Sequence, residues 1–153
     1  MTTHQTRTGF GRSANENRDG LLRLALKLDA VASGALGVLI LLAAGTMVGD
    51  GRPFVFLLGT PLALLVPAGL FLVAYAAFVW TVGTRGRTNR TAAWSVVAVN
   101  VLWVLASVAL LVAGWFPLTA LGVAFVLAQA AAVALFAALQ LLGLQRNQPE
   151  MLG

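Results

Sequence analysis

Charged side chains are absent from three long stretches: Ala30 to Gly49, Pro53 to Thr84 and Thr91 to Gln145, which run for 20, 32 and 55 residues. Short segments rich in Gly, Thr, Asn and Arg separate them. An apolar helix of roughly 20 residues crosses the ~30 Å hydrocarbon layer of a bilayer. The first two stretches each hold one such helix. The third holds two, once Trp115-Phe116-Pro117 is read as a tight turn. The pattern predicts an all-α polytopic membrane protein with transmembrane helices at about 21–48, 61–83, 91–114 and 118–144. Short connections make successive helices antiparallel neighbours, in an up-down-up-down bundle.

The punctuation between the runs supports these limits. Residues 1–19 are polar and nearly free of large apolar side chains, which predicts a disordered tail. The opening turns of helix 1, LLRLALKLD, place Arg23 and Lys27 in the headgroup zone, reaching for phosphates. Gly49-Asp50-Gly51-Arg52-Pro53 ends that helix, and the following FVFLLG is too short to span, so it is expected to rest at the interface. Thr60 is expected to cap helix 2, with Pro61 at its first position, where a missing N–H is harmless. Pro67 lies inside helix 2 and should bend it. A basic loop, Thr84 to Arg90, leads into helix 3, and 145–153 form a polar tail.

Composition fits the pattern. The chain is 59% hydrophobic and 10% charged, with a mean hydropathy of +0.89. A soluble domain of 153 residues lacks the polar residues to wet the surface of so much apolar material. The net charge of +5 raises a nucleic-acid partner, but the charges border apolar runs and are better explained by orientation in a bilayer. Arg and Lys number five up to Lys27, three in the helix 2–3 loop (Arg85, Arg87, Arg90) and one in the C-terminal tail, against Arg52 alone on the other side. Cationic loops stay cytoplasmic, so both termini are expected inside the cell. Trp80 and Trp94 near the inner boundary and Trp115 at the outer one suit an interfacial belt. The first apolar run is longer than a signal-peptide core and follows a polar segment of about 27 residues, so it reads as an uncleaved helix. Nine Arg against one Lys, and one Ile among abundant Ala, Val, Leu and Gly, point to GC-rich bacterial coding.

Polar groups in lipid are costly, which makes each a candidate for function. Asp29 is the one acidic residue in or beside a predicted span. Counted back from Val48 at 1.5 Å per residue it lies ~28 Å from the outer edge, close to the cytoplasmic boundary. There it would stay hydrated or pair with a cation of the helix 2–3 loop; a proton- or cation-coupling role is the alternative. Asn100 and Gln129 fall at similar depths, ~14 and ~16 Å into helices 3 and 4, and are expected to hydrogen-bond each other across the hairpin. Ala30, Gly34 and Gly37 form a small-residue stripe with Ser33, suited to close packing within the chain. Tyr75 and Trp103 read as core filler, or as walls of a small cavity.

Catalytic chemistry has no foothold in the sequence. Cys is absent, the one histidine is His4 in the polar tail, and no carboxylate pair, P-loop or dinucleotide fingerprint occurs. No cofactor or metal is expected. LRLALKLDAVASGALGVL, LFLVAYAAFVW and NVLWVLASVALLVAGW resemble segments of uncharacterised four-helix membrane proteins of high-GC Gram-positive bacteria, a likeness covering about Leu21 to Gln140. That resemblance implies a bacterial cytoplasmic-membrane protein and imports no activity. Small multidrug-resistance transporters also have four short helices and an acidic residue in the first. Here Asp29 is placed too near the boundary, and the charge bias opposes dual insertion. Two functions follow. One is a non-enzymatic membrane component that packs with lipids, partner membrane proteins or copies of itself. The other is a small-molecule or ion carrier with a cavity lined by Asp29, Asn100 and Gln129.

Overall fold

The structure, a computed structural model, describes residues 9–50, 58–85 and 89–146, with side chains described from residue 20 onward and not for 45–50. It contains four long helices: α1 (Gly9–Asp50), α2 (Leu62–Thr84), α3 (Arg90–Ala113) and α4 (Ala120–Arg146). Each contains a span long and apolar enough to cross a membrane: Gly20–Ala44, Leu62–Thr84, Arg90–Ala113 and Ala120–Arg146. The shortest, 23 residues, is ~35 Å long at 1.5 Å per residue, against ~30 Å of hydrocarbon.

The surface is arranged for lipid. Leu39, Leu42, Leu102, Leu105, Val112 and Leu121 are among many exposed large apolar residues, while Asp29, Ser33, Asn100, Ser107 and Gln140 are buried. In water such a surface would be one continuous adhesive patch. In a bilayer it meets a solvent as apolar as itself, and the polar groups are satisfied inside.

Several limits differ from the sequence reading, each for a local reason. Residues 9–19, expected to be disordered, continue α1 toward the N-terminus. They contain no proline, and extending an existing helix avoids the cost of nucleation. Helix 2 begins at Leu62 rather than at Pro61, which sits outside it as the N-cap with extended backbone. The Pro61 carbonyl takes the first amides, from Leu64 and Leu65, and Thr60 supplies no side-chain cap. Helix 3 is capped by Asn89, whose Oδ1 accepts from the amides of Thr91 and Ala92 at 3.0 and 3.4 Å. It ends at Gly114, whose φ of 61° is the left-handed conformation that stops a helix cheaply. Helix 4 starts at Ala120, two residues late, because the Thr119 hydroxyl accepts from the Gly122 amide. Arg87, most of the FVFLLG segment and the C-terminal tail from 147 lie outside the described residues.

α1 packs most extensively on α2, α3 packs on α4, and α4 also packs on α1, whereas the backbones of α2 and α3 stay apart and these helices meet through large side chains such as Tyr75 and Phe71. The small-residue stripe explains the tightest contact. A Cβ built on Gly34 would lie 3.2 Å from the Ala76 Cβ, and one on Gly37 would lie 2.9 Å from the Gly69 carbonyl oxygen. Leu22, Leu26, Ala30, Tyr75, Val79, Val82, Ala93, Val96, Val97 and Leu144 form one continuous core at the end bearing the N-terminus of the first span. Among the described residues the other half has Ile40, Leu65 and Leu72 as a buried cluster, with Leu36 and Trp103 packed against it.

Candidate functional site

Asp29 is fully buried and every helix contributes to its surroundings. It lies nine residues beyond Gly20, ~14 Å along the helix. Ser33, one turn along α1, donates to Oδ1 at 3.1 Å. Asn100 of α3 and Gln140 of α4 both donate to Oδ2 at 2.8 Å. Asn100 also donates to Gln140 Oε1 at 3.1 Å, which closes a triangle of three side chains. Tyr75 of α2 donates at 2.7 Å to Asn100 Oδ1, and its hydroxyl lies 3.3 Å from Asp29 Oδ2. One carboxylate thus ties four helices together through neutral partners.

Among the described residues no cation binds it. Lys27, Arg85, Arg90 and Arg146 are exposed, and Arg23, half-buried, donates to the Arg85 carbonyl and so joins the start of the first span to the end of α2. In place of the expected ion pair with the helix 2–3 loop, Asp29 is bound among the described residues by neutral groups and not by Arg85 or Arg90. The reason is geometric. Each helix presents its uncharged polar residue at the level of Asp29, so the carboxylate is satisfied before any long cationic side chain reaches it.

The expected Asn100–Gln129 bond is also absent: Asn100 bonds to Asp29 and Gln140. Gln129 belongs to a second network ~17 Å farther along α4, eleven residues from Gln140. Its Oε1 accepts from Trp103 Nε1 at 2.7 Å, and its Nε2 donates to Ser107 Oγ at 3.1 Å. Ser107 in turn donates to the Trp103 carbonyl at 2.8 Å. Depth alone paired the wrong amides, because the rotation of each helix decides which amide faces which neighbour. Gln140 was the missed residue. Its signal was the eleven-residue spacing to Gln129, three helical turns, which puts both on one face of α4.

Stacked aromatic rings join the two networks. Phe71 lies between Tyr75 and Trp103, with centroids 5.9 and 5.7 Å away and nearly parallel planes. Beside this column is a chamber of about 10 Å³ lined by Ser33, Phe71, Tyr75, Asn100 and Trp103 among others, about the space one water requires. Beyond Trp103 lies a groove of about 410 Å³. Leu36, Ile40, Leu65, Ala68, Leu110 and Phe125 are among its walls, with Trp103, Ser107 and Gln129. The single cavity expected around Asp29, Asn100 and Gln129 is thus replaced by two spaces: Gln129 borders the groove, Asn100 the chamber.

Among the described residues no three His, Cys, Asp or Glu side chains gather as a metal site. Comparison with known protein families, curated proteins and solved structures finds no match for this chain.

Proposed function

We propose that this protein is a non-enzymatic integral component of a bacterial cytoplasmic membrane that takes a lipid acyl chain into the groove beside Trp103. The groove carries the proposal. Its volume of about 410 Å³ falls in the ~300–1,000 Å³ range of small-molecule sites. Its walls come from all four membrane-spanning helices, through Ile40, Ala68, Leu110 and Phe125 among others, which makes the bilayer the natural supply of an occupant. Trp103, Ser107 and Gln129 satisfy one another, so the wall asks little of an occupant beyond apolar surface. A chain of CH₂ groups meets that demand through van der Waals packing, because a tail that comes from the bilayer has already left water.

Tryptophan quenching tests this. In a variant retaining only Trp103 (Trp80, Trp94 and Trp115 replaced by Phe), phospholipid brominated along its acyl chains should quench the fluorescence strongly. Ala106→Leu, which fills the groove, should relieve that quenching. Equal quenching with and without Ala106→Leu would show that the groove does not admit lipid.

The cationic residues Arg23, Lys27, Arg85, Arg90 and Arg146 gather at one end of the bundle, which supports both termini on the cytoplasmic side. A fluorescent reporter fused after the C-terminus should therefore light up in the cytoplasm, and a cysteine placed at Trp115 should react with an impermeant reagent outside. The opposite pattern inverts the orientation.

A further inference from the structure

We propose that Asp29 is a buried binding site for one exchangeable proton, reached through the water-sized chamber. This stands independently of what the groove holds. The two carboxylate oxygens are unequally engaged. Oδ2 is met by Asn100, Gln140 and the Tyr75 hydroxyl, whereas Oδ1 accepts from Ser33. Ser33 also lines the chamber, so the residue that donates to Oδ1 borders a space able to take one water. The transfer balances simply. A hydrated proton in the chamber passes to Ser33 Oγ as the Ser33 hydroxyl proton moves to Oδ1. One carboxylate becomes one carboxylic acid, and release is the reverse.

At Oδ2 the N–H ends of Asn100 and Gln140 oppose any cation, proton or metal ion, which leaves Oδ1, where the Ser33 hydroxyl can pass on a proton. The charge balance of the region also leaves this role open. On α1 the neighbouring charged groups are Arg23, bound to the Arg85 carbonyl, and Lys27, which is exposed. On α2 the titratable neighbour is Tyr75. α3 and α4 bring Asn100 and Gln140, with Arg90 and Arg146 exposed at their ends. A lone carboxylate held among neutral groups inside a membrane span has the proton as its simplest neutralising partner.

The chain has three aspartates, Asp19, Asp29 and Asp50, so carbon-13 labelling of aspartate in the full-length protein, reconstituted in lipid bilayers, gives a readable carboxyl spectrum by magnetic resonance. Asp29→Asn should remove one signal and thereby assign it; if that variant does not fold, Asp29→Glu takes the same signal out of the aspartate set. The Asp29 signal should shift with pH in a single transition, and sodium at constant pH should leave it in place. Ser33→Ala should keep the signal while slowing its exchange with solvent protons. A signal that ignores pH throughout the range in which the protein stays folded would overturn the proposal. So would one that answers to sodium and not to pH, which would identify a metal-ion site instead.

Discussion

Asp29→Ala should destabilise the folded bundle by about 2–4 kcal/mol, the largest effect expected of any side-chain truncation in the core. Removing the carboxylate leaves Ser33 and Gln140 without their acceptor and takes one of two acceptors from Asn100, while the Tyr75 hydroxyl keeps its bond to Asn100 Oδ1. A buried donor without a partner costs about 1–3 kcal/mol. The loss is offset in part because a charged side chain near the bilayer centre itself costs ~2.5–3.5 kcal/mol on insertion scales. Asp29→Asn keeps the shape and one acceptor oxygen but turns an NH₂ toward other donors, so it should cost less. Tyr75→Phe, which removes a single donor, should cost about 0.6–1 kcal/mol, the ordinary value of one hydrogen bond between membrane helices. Denaturation of the three variants in one detergent, followed by tryptophan fluorescence, gives this ranking directly. Wild-type stability in Asp29→Ala would mean that the network contributes nothing to the fold.

The second large effect is steric. Gly143 of α4 lies against the backbone of α1: a Cβ there would sit 2.8 Å from the Leu22 Cβ and 3.0 Å from its Cα. Gly143→Ala therefore cannot be absorbed by a rotamer change, and the two helices must move apart. Overpacking of this kind costs about 1–3 kcal/mol. The shift falls three residues from Gln140, whose 2.8 Å bond to Asp29 would lengthen with it. Gly20→Ala is the internal control. Nothing lies within 4 Å of a Cβ at Gly20, so alanine's better helix propensity should leave stability equal or raised by about 0.5–1 kcal/mol. If both alanine variants unfold at the same denaturant concentration, the close approach of α1 and α4 does not support the bundle.

How much of this was readable beforehand depended on the range of the force involved. The four spans were legible because the need to satisfy every backbone group in lipid acts on each segment separately, and a count of apolar residues senses it. The ends were less legible. Proline 61 as a cap, Thr119 as a cap and the continuation of α1 through 9–19 depend on single hydrogen bonds or on helix propagation. For the site, Asp29 and Asn100 were recognisable as polar intruders, but their partners were not. Depth along a helix is a one-dimensional coordinate that chain position supplies. Azimuth is not, and the small moments of helices apolar all round leave no stripe from which to read it.

The chain's own order of residues therefore determined the medium, the number of crossings and the helical class, and marked Asp29 and Asn100 but not Gln140 among the buried polar side chains. It did so because transfer of each segment into hydrocarbon is a local free energy, additive along the polymer. Which polar residues meet was decided only in three dimensions. Gly34, Gly37 and Gly143 bring α1 against α2 and α4, and that approach rotates Asp29 toward Tyr75, Asn100 and Gln140. The same packing leaves the backbones of α2 and α3 apart and forms the groove beside Trp103. Contacts between residues 71 and 111 positions apart depend on the mutual fit of whole helix surfaces, and no single segment contains that information.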